Sequence, residues 1–161
     1  MDETKNVIEI KNITKDYGDF KLDNVSFNVT TGSVCGFIGQ NGAGNIVFIE
    51  MNGKKLVHLG DTYMTEQLRN DLKELGKIDS IMLPINGRDE IREAQGIIGN
   101  LNCEEAAELA AYLRPDLSIP THFDMVVGNT ADPAVFKECL NEIMPESRCW
   151  IPTLMEEYNL I

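Results

Sequence analysis

Two residues whose side chains suit metal chemistry stand directly after predicted strands. Asp61 follows the run LVHLG, and His122 follows the run LSIPT. Loops at strand ends are where ligands gather in sheets flanked by helices. A carboxylate oxygen can bridge divalent ions, and an imidazole nitrogen can bind one as a terminal ligand. The two positions therefore predict a site for a divalent metal such as Mn(II) or Zn(II).

The stretch GQNGAGNI, residues 39–46, has the glycines of a phosphate-binding loop but lacks its reactive residues. Such glycines let successive backbone N–H groups converge on phosphate oxygens. The chemistry also needs a lysine for the phosphates and a hydroxyl for magnesium, and Asn45 and Ile46 stand in their places. ATP hydrolysis is therefore not expected. A loop that binds nothing is favoured over one that binds anions weakly.

The elements that must position these residues alternate along the chain, which predicts an α/β fold. Residues 7–18, 21–32 and 33–39 have the patterns of three strands. The later part has a hairpin, two further inner strands, three helices, of which the first two have predicted N-cap residues, and a last strand. They are, in order, a hairpin over 45–62 with an Asn52-Gly53 turn, a helix from Thr65 to Gly76, a strand over 78–85, an irregular segment over 86–101, a helix from Asn102 to Pro115, a strand over 116–123, a helix over 133–144 and a strand over 148–154.

Composition excludes several classes of function. The chain has 161 residues with 26 acidic and 14 basic side chains, a formal charge of −12, whereas nucleic-acid binding needs a basic face. The first residues, MDETKN, lack the apolar core of a signal peptide, and no apolar run approaches the ~20 residues that span a bilayer. The cysteines form no CxxC pair, so we expect reduced thiols in a cytoplasmic protein.

Residues 1–44 resemble the start of an ABC transporter ATP-binding subunit, through IEIKNITKDYGDFKLDNVSFNVTTGSVCGFIGQNGAG. The resemblance implies that an aromatic residue after the first strand stacks on adenine and that the third strand leads into the phosphate loop. No LSGGQ-like signature and no apolar run ending in Asp-Glu follows. The implied nucleotide-binding residues, which we regard as vestigial, are Tyr17, Gly39, Asn41, Gly42 and Gly44.

Residues 45–161 resemble the C-terminal half of a metallo-β-lactamase-fold hydrolase. The segments that carry the resemblance are NGKKLVHLGDTYMTEQL, IDSIMLPINGR, CEEAAELAAYLRPDLSIPTHFDM and NTADPAVFKECLNEIMPESRCWIPTLME. The order is most similar to the ascorbate-6-phosphate lactonase-like branch. The resemblance implies half of an αββα sandwich, metal-dependent hydrolysis of a small-molecule substrate, Asp61 as a bridging ligand and His122 as the last histidine ligand.

The chain departs from that family where activity is concerned. The family's His-x-His-x-Asp-His motif is missing, because the only histidines are His58 and His122. Catalytic zinc usually takes three protein ligands and a water. We therefore expect weak metal binding and no useful hydroxide. His58, three residues before Asp61, is either a partner of a ligand or, as we favour, an ordinary strand histidine.

The simplest interpretation of the sequence is a seam at residues 44–46 that joins two pieces, 1–44 and 45–161. Strands in residues 7–38 would then cover the hydrolase half or pair with an edge of its sheet. Self-association is another way to hide its missing side. Three functions stay open: a metal-binding hydrolase module, a nucleotide-binding fragment and a non-catalytic fusion protein.

Overall fold

The structure, a computed structural model, describes residues 6–16, 21–30, 46–51, 53–94, 96, 99–124 and 126–154. Its strands are β1 (Asn6–Asp16), β2 (Lys21–Thr30), β3 (Val47–Met51), β4 (Lys54–His58), β5 (Ser80–Pro84) and β6 (Leu117–Thr121). Its helices are α1 (Glu66–Glu74), α2 (Glu90–Ala94), α3 (Cys103–Leu113) and α4 (Pro133–Ile143). The predicted strand over 33–39 and the loop over 39–45 lie outside the described residues.

The first two strands form a sheet of their own. β1 and β2 pair antiparallel, and the register between them shifts three times. Asn12 and Asn24 adopt left-handed backbone angles of φ 52°, a conformation that asparagine tolerates better than most residues. The described strands form two separate sheets. The expected pairing of residues 7–38 with an edge of the larger sheet is therefore not found among them.

The larger sheet has the strand order β3-β4-β5-β6. β3 and β4 form the predicted antiparallel hairpin, and Gly53 has the positive φ of 73° that its turn requires. β4, β5 and β6 are parallel, with Val57 opposite Ile81 and Ile81 opposite Ser118. The carboxyl ends of three neighbouring strands therefore meet at one edge of the sheet.

Side-chain caps fix where the helices begin, and two of them, Thr65 and Asn102, lie where the sequence patterns predict. The hydroxyl of Thr65 accepts from the N–H of Leu68 at the start of α1. Asn102 and Glu105 form a complete capping box at the start of α3. Asp132 caps α4, whose first residue is Pro133. These three helices confirm the predictions made from their sequence patterns.

The core lies between the helices and one face of the sheet. α3 packs against α4 and also contacts α1 and β5. The apolar residues at its centre are fully buried, which is the main favourable contribution to folding. They include Val57, Leu59, Ile81, Leu83, Ala106, Ala107, Leu109, Ala110, Phe136 and Leu140. No helix within the described ranges is long and apolar enough to cross a membrane.

Two predicted elements differ from the structure. The segment 86–101 is not wholly irregular, because Asp89 accepts from the N–H of Arg92 and the short helix α2 follows. The predicted strand over 148–154 is reduced to one isolated bridge between Ser118 and Cys149. Backbone bonds from Ser118 N to Arg148 O and from Trp150 N to Ser118 O hold that bridge, but no ladder extends from it.

Candidate metal centre

The predicted metal ligands meet at the carboxyl edge of the three parallel strands. Asp61 follows β4, His122 follows β6, and Asn86 follows the strand between them. Nδ1 of His122 lies 3.0 Å from Oδ1 of Asp61. The structure therefore brings together two residues that are far apart in the sequence, at the edge where ligands bind in such sheets.

His122 holds an unusual backbone conformation. Its φ is 60°, in the left-handed region that a residue with a Cβ rarely adopts. Such strain persists only where the surrounding contacts impose it, and it clusters at functional sites. The backbone carbonyl of Thr121, just before it, accepts from the N–H of Ile85 at 3.1 Å, which ties the His122 turn to the end of β5.

Asn100 is a buried polar residue that the sequence analysis missed. Its side chain belongs to a residue only 2% exposed. Its Oδ1 accepts from the backbone N–H of Thr62 at 2.7 Å. Its Nδ2 donates to Oδ1 of Asp61 at 3.0 Å and to Oδ1 of Asn86 at 2.9 Å, and it lies 3.5 Å from Nδ1 of His122. One amide thus links the loops after β4, β5 and β6.

A second amide group extends this network. Nδ2 of Asn86 donates to Oδ1 of Asn129 at 2.8 Å. Nη1 of Arg92 donates to the same Oδ1 and, at 2.8 Å, to the backbone carbonyl of Asn86. Nε of Arg92 pairs with Asp89 at 2.5 Å. The position of Asn86 after a strand could have indicated it, as it indicated Asp61. No pattern in the sequence indicates Asp89, Arg92 or Asn129.

A cavity of about 200 Å³ opens beside these groups. Its lining residues are Asp61, Asn86, His122, Val126 and Asn129. Four of the five carry polar side chains that can orient a ligand through hydrogen bonds, while most of the lining surface is apolar. Its size admits a few non-hydrogen atoms of a substrate rather than a whole drug-sized molecule.

His58 shapes the turn that leads to Asp61. Its Nδ1 accepts from the backbone N–H of Gly60 at 2.9 Å. Burial lowers the pKa of His58, the neighbouring His122 lowers it further, and Asp61 opposes both effects. His58 is therefore neutral at pH 7 with its proton on Nε2. His58 is close enough to both candidate ligands for their charges to shift its pKa. Its Nδ1, however, already accepts a hydrogen bond from the backbone of Gly60.

The donor set fits a divalent metal only in part. Asp61 and His122 supply one carboxylate oxygen and one imidazole nitrogen, both of them accepted ligands. Among the residues that the structure describes, no group of three or more His, Cys, Asp and Glu side chains is placed to hold a metal. Two protein ligands are one fewer than catalytic zinc usually takes.

The vestigial nucleotide-binding residues, Tyr17 and those of the 39–44 loop, lie outside the described residues.

A family match decides what kind of protein carries this site. The model of the family described as "Beta-lactamase superfamily domain" matches residues 2–122. The chain belongs to the beta-lactamase superfamily. Both candidate ligands lie within the matched residues, and the match ends at His122. The match begins at residue 2 and so runs across the predicted seam at residue 44. The division into two pieces stays a prediction.

Comparisons with individual proteins agree with the superfamily. A "UPF0173 metal-dependent hydrolase" of Pyrococcus furiosus is 26% identical over 145 residues, which is 83% of this chain and 56% of that protein. The structure of Igni18, a metallo hydrolase from Ignicoccus hospitalis, superposes with a TM-score of 0.53 at 24% identity, over 67% of this chain and 42% of that one. The chain therefore has a mixed α/β fold of the metallo-β-lactamase type. It spans about half the length of the curated relatives it matches.

A partial match to a different class of protein also exists. The phosphonates import ATP-binding protein of Fusobacterium nucleatum is 33% identical over 78 residues, which is 42% of this chain and 32% of that protein. This match is a weak sign of the ABC-like segment that the sequence analysis predicted.

Proposed function

We propose that this chain is part of a metal-dependent hydrolase and that it holds one divalent ion through Asp61 and His122. The observation that carries the proposal is the separation of 3.0 Å between Oδ1 of Asp61 and Nδ1 of His122. Side chains from two different loops converge there at the ligand-binding edge of the sheet. The curated relatives named as metal-dependent hydrolases support a divalent metal, Mn(II) or Zn(II) being our candidates.

The surrounding residues prepare the two ligands. Asn100 donates to the carboxylate of Asp61, and such bonds from outside the ligand set hold a ligand in orientation. Asn100 itself is fixed because it accepts from the backbone of Thr62. His58 holds the turn before Asp61 through Gly60. Asp61 itself is 56% exposed, so its carboxylate is held in place by the bond from the buried Asn100 rather than by its own burial.

The proposed reaction is hydrolysis of a small-molecule substrate. Asp61 and His122 would hold the ion, which would supply Lewis-acid activation of a substrate oxygen and of a bound water. By its resemblance to the ascorbate-6-phosphate lactonase-like branch, we take a lactone as the substrate class. Two histidines in the whole chain leave no His-x-His-x-Asp-His motif. We therefore propose that the chain by itself binds metal weakly and does not turn over substrate.

Thermal unfolding with metal tests the proposal. A ligand that binds only the folded state stabilises it by mass action, and the melting temperature rises as a result. At a hundredfold excess of ligand over Kd, the free energy of unfolding increases by about 2.7 kcal/mol. We expect Mn(II) or Zn(II) to stabilise the wild-type chain and to have much less effect on Asp61→Ala and His122→Ala. Asp71→Ala, an equal loss of charge on the exposed face of α1, is the matched control. Equal stabilisation of wild type and both site variants would refute the assignment.

The alternative is a nucleotide-binding fragment, which the partial match to an ATP-binding protein keeps open. It would use Tyr17 and the loop glycines. Stabilisation by millimolar ATP, abolished in Tyr17→Ala, would favour it. A melting temperature that does not change with ATP would leave the metal-binding hydrolase as the better function, or a non-catalytic fusion protein if metal also fails.

A further inference from the structure

The amide groups around the cavity are joined in a chain of hydrogen bonds whose direction is fixed at both ends. At one end the backbone N–H of Thr62 is a donor, so the atom of Asn100 that accepts from it is the side-chain oxygen Oδ1. At the other end the guanidinium of Arg92 has no acceptor, so the atom of Asn129 that meets it is also Oδ1. Neither amide can be turned over without losing its partner.

The direction of the chain determines what the cavity offers to a ligand. Asn100 donates to Asn86, and Asn86 donates to Asn129. Oδ1 of Asn129 therefore accepts from both Asn86 and Arg92. Within the described part of the chain, Nδ2 of Asn129 has no hydrogen-bond partner, although Asn129 lines the cavity. Its two N–H groups are the donors left for a ligand.

The charge behind these donors favours an oxygen that carries negative charge. The guanidinium of Arg92 bonds directly to Oδ1 of Asn129, and hydrogen bonds in such a chain polarise one another. The pair with Asp89 offsets part of the charge of Arg92. Asp61 and His122 line the same cavity. The cavity thus combines the two candidate metal ligands with an amide donor.

We propose that Asn129, oriented by Arg92 and Asn86, binds an anionic oxygen of the substrate, from a carboxylate or a phosphate group. The proposal rests on the proposed function, because it places this oxygen in the cavity that the two candidate metal ligands also line. Asn129 is then a specificity-determining residue. It selects substrates that carry such an oxygen a few atoms from the bond that is hydrolysed.

The variant Asn129→Asp isolates the donor. An aspartate keeps the oxygen that accepts from Asn86 and Arg92 and replaces the amide nitrogen by a second oxygen of nearly the same shape. The pairing with Arg92 gains charge assistance, so the variant keeps its fold. Asn141→Asp, on the exposed surface of α4, changes the net charge of the chain by the same amount away from the cavity.

The test is a titration of the whole 15N-labelled chain with acetate and, separately, with inorganic phosphate, metal-free and with Zn(II). The side-chain amide signals of Asn129 are identified by their loss in Asn129→Asp. We expect these signals to shift saturably in wild type and Asn141→Asp. The affinities of wild type and Asn129→Asp are compared through the backbone amide signals of the cavity residues Asn86 and His122, which both proteins retain. That affinity should fall roughly tenfold or more in Asn129→Asp. Acetate alone would identify a carboxylate, phosphate alone a phosphate, and both a site for either oxyanion.

Two results would overturn the proposal. One is the absence of any saturable shift of the Asn129 signals with either anion at millimolar concentrations. The other is equal affinity of wild type and Asn129→Asp. The metal-free titration separates this proposal from the proposed function. If Zn(II) does not bind but an anion still shifts the Asn129 signals, the metal assignment fails and the anion subsite stands.

Discussion

Nδ2 of Asn100 lies 3.0 Å from Oδ1 of Asp61, although the two residues are 39 positions apart in the chain. The contact joins the loop after β4 to the residues just before α3. Because Asn100 is only 2% exposed, each of its polar atoms needs a partner within the protein. The residue that orients a candidate metal ligand is thus also one of the polar residues most deeply buried in the described chain.

We therefore predict that Asn100→Ala lowers the free energy of unfolding by roughly 2–3 kcal/mol, because it leaves the N–H of Thr62 and the side-chain oxygen of Asn86 without the partner that Asn100 supplies. Urea unfolding measures the change. The same truncation in Asn141→Ala, on the exposed face of α4, should alter stability by less than about 0.5 kcal/mol. The metal-induced rise in melting temperature should also shrink in Asn100→Ala. Equal stability of the two variants would contradict the role given to Asn100.

At the opposite edge of the sheet, a buried carboxylate predicts how stability depends on pH. Asp79 is 8% exposed and pairs with Lys54 at 2.9 Å. Burial raises the pKa of Asp79, but the bond from Lys54, the backbone N–H of Lys55 and the charges of Lys54 and Lys77 together hold it below its ordinary value. Its stabilising contribution is present above the unfolded pKa, about 3.9, and is lost as pH falls through the folded pKa.

The test compares Asp79→Ala with wild type across acidic pH. Near pH 7 we expect the variant to lose about 2–4 kcal/mol of unfolding free energy, because the Lys55 N–H loses its partner. Below the folded pKa of Asp79, the wild-type carboxyl is protonated and has lost its charge. Part of the difference in unfolding free energy between wild type and Asp79→Ala should therefore disappear. A difference that stays constant down to the acid transition would show that charge contributes nothing to this contact.

Glu105 has two functions that a pair of variants can separate. Its carboxylate accepts from the backbone N–H of Asn102 at 3.1 Å, which completes the capping box of α3. It also receives two bonds from Arg88, at 2.6 and 2.7 Å, and the bond from Arg88 lowers the pKa of Glu105. Glu105→Gln keeps an acceptor for the cap and loses the charge pair, whereas Glu105→Ala loses both.

We predict a loss of about 1–2 kcal/mol for Glu105→Ala and about half of that for Glu105→Gln, measured by thermal unfolding. Added salt should reduce the difference between wild type and Glu105→Gln, because that difference comes from a partly exposed ion pair. If the two variants are equally unstable, the cap contributes nothing measurable and the interaction with Arg88 explains the whole effect.

The sequence predicted the ends of the elements better than the contacts between them. Thr65, Asn102 and Pro133 mark helix starts because caps are local, short-range chemistry. The proximity of Asp61 and His122 could be predicted because the strand-end rule needs only the order of elements. The prediction of a strand over 148–154 was wrong, because the backbone there forms one isolated β-bridge, between Cys149 and Ser118, and no ladder of strand pairing.

The remaining part of the site could not be predicted for a physical reason. Asn100 and Asn129 lie in irregular loops, where no periodic pattern marks a buried residue. What makes them important is their contact with each other through Asn86, and that depends on how three loops fold together. The positive φ of His122, 60°, could likewise not be predicted from its residue type.

Gly99 makes a close approach that a single methyl group should disrupt. A Cβ at this position would lie 2.2 Å from Cβ of Arg88 and 2.9 Å from its Cδ. Because Cβ of Arg88 is fixed by the backbone, it cannot move aside as the far end of the side chain could. Arg88 also donates to the backbone carbonyl of Asn100 at 3.1 Å. Any displacement is therefore transmitted to the residue that orients Asp61.

We predict that Gly99→Ala lowers the free energy of unfolding by about 2–3 kcal/mol. Gly128→Ala is the matched control, since Gly128 has open space around it but a φ of 82°, so its cost should be about 1 kcal/mol from backbone strain alone. A double-mutant cycle with Arg88→Gly removes the obstructing Cβ and should recover part of the loss in Gly99→Ala. If the two substitutions add without coupling, the close approach between Gly99 and Arg88 is not the cause.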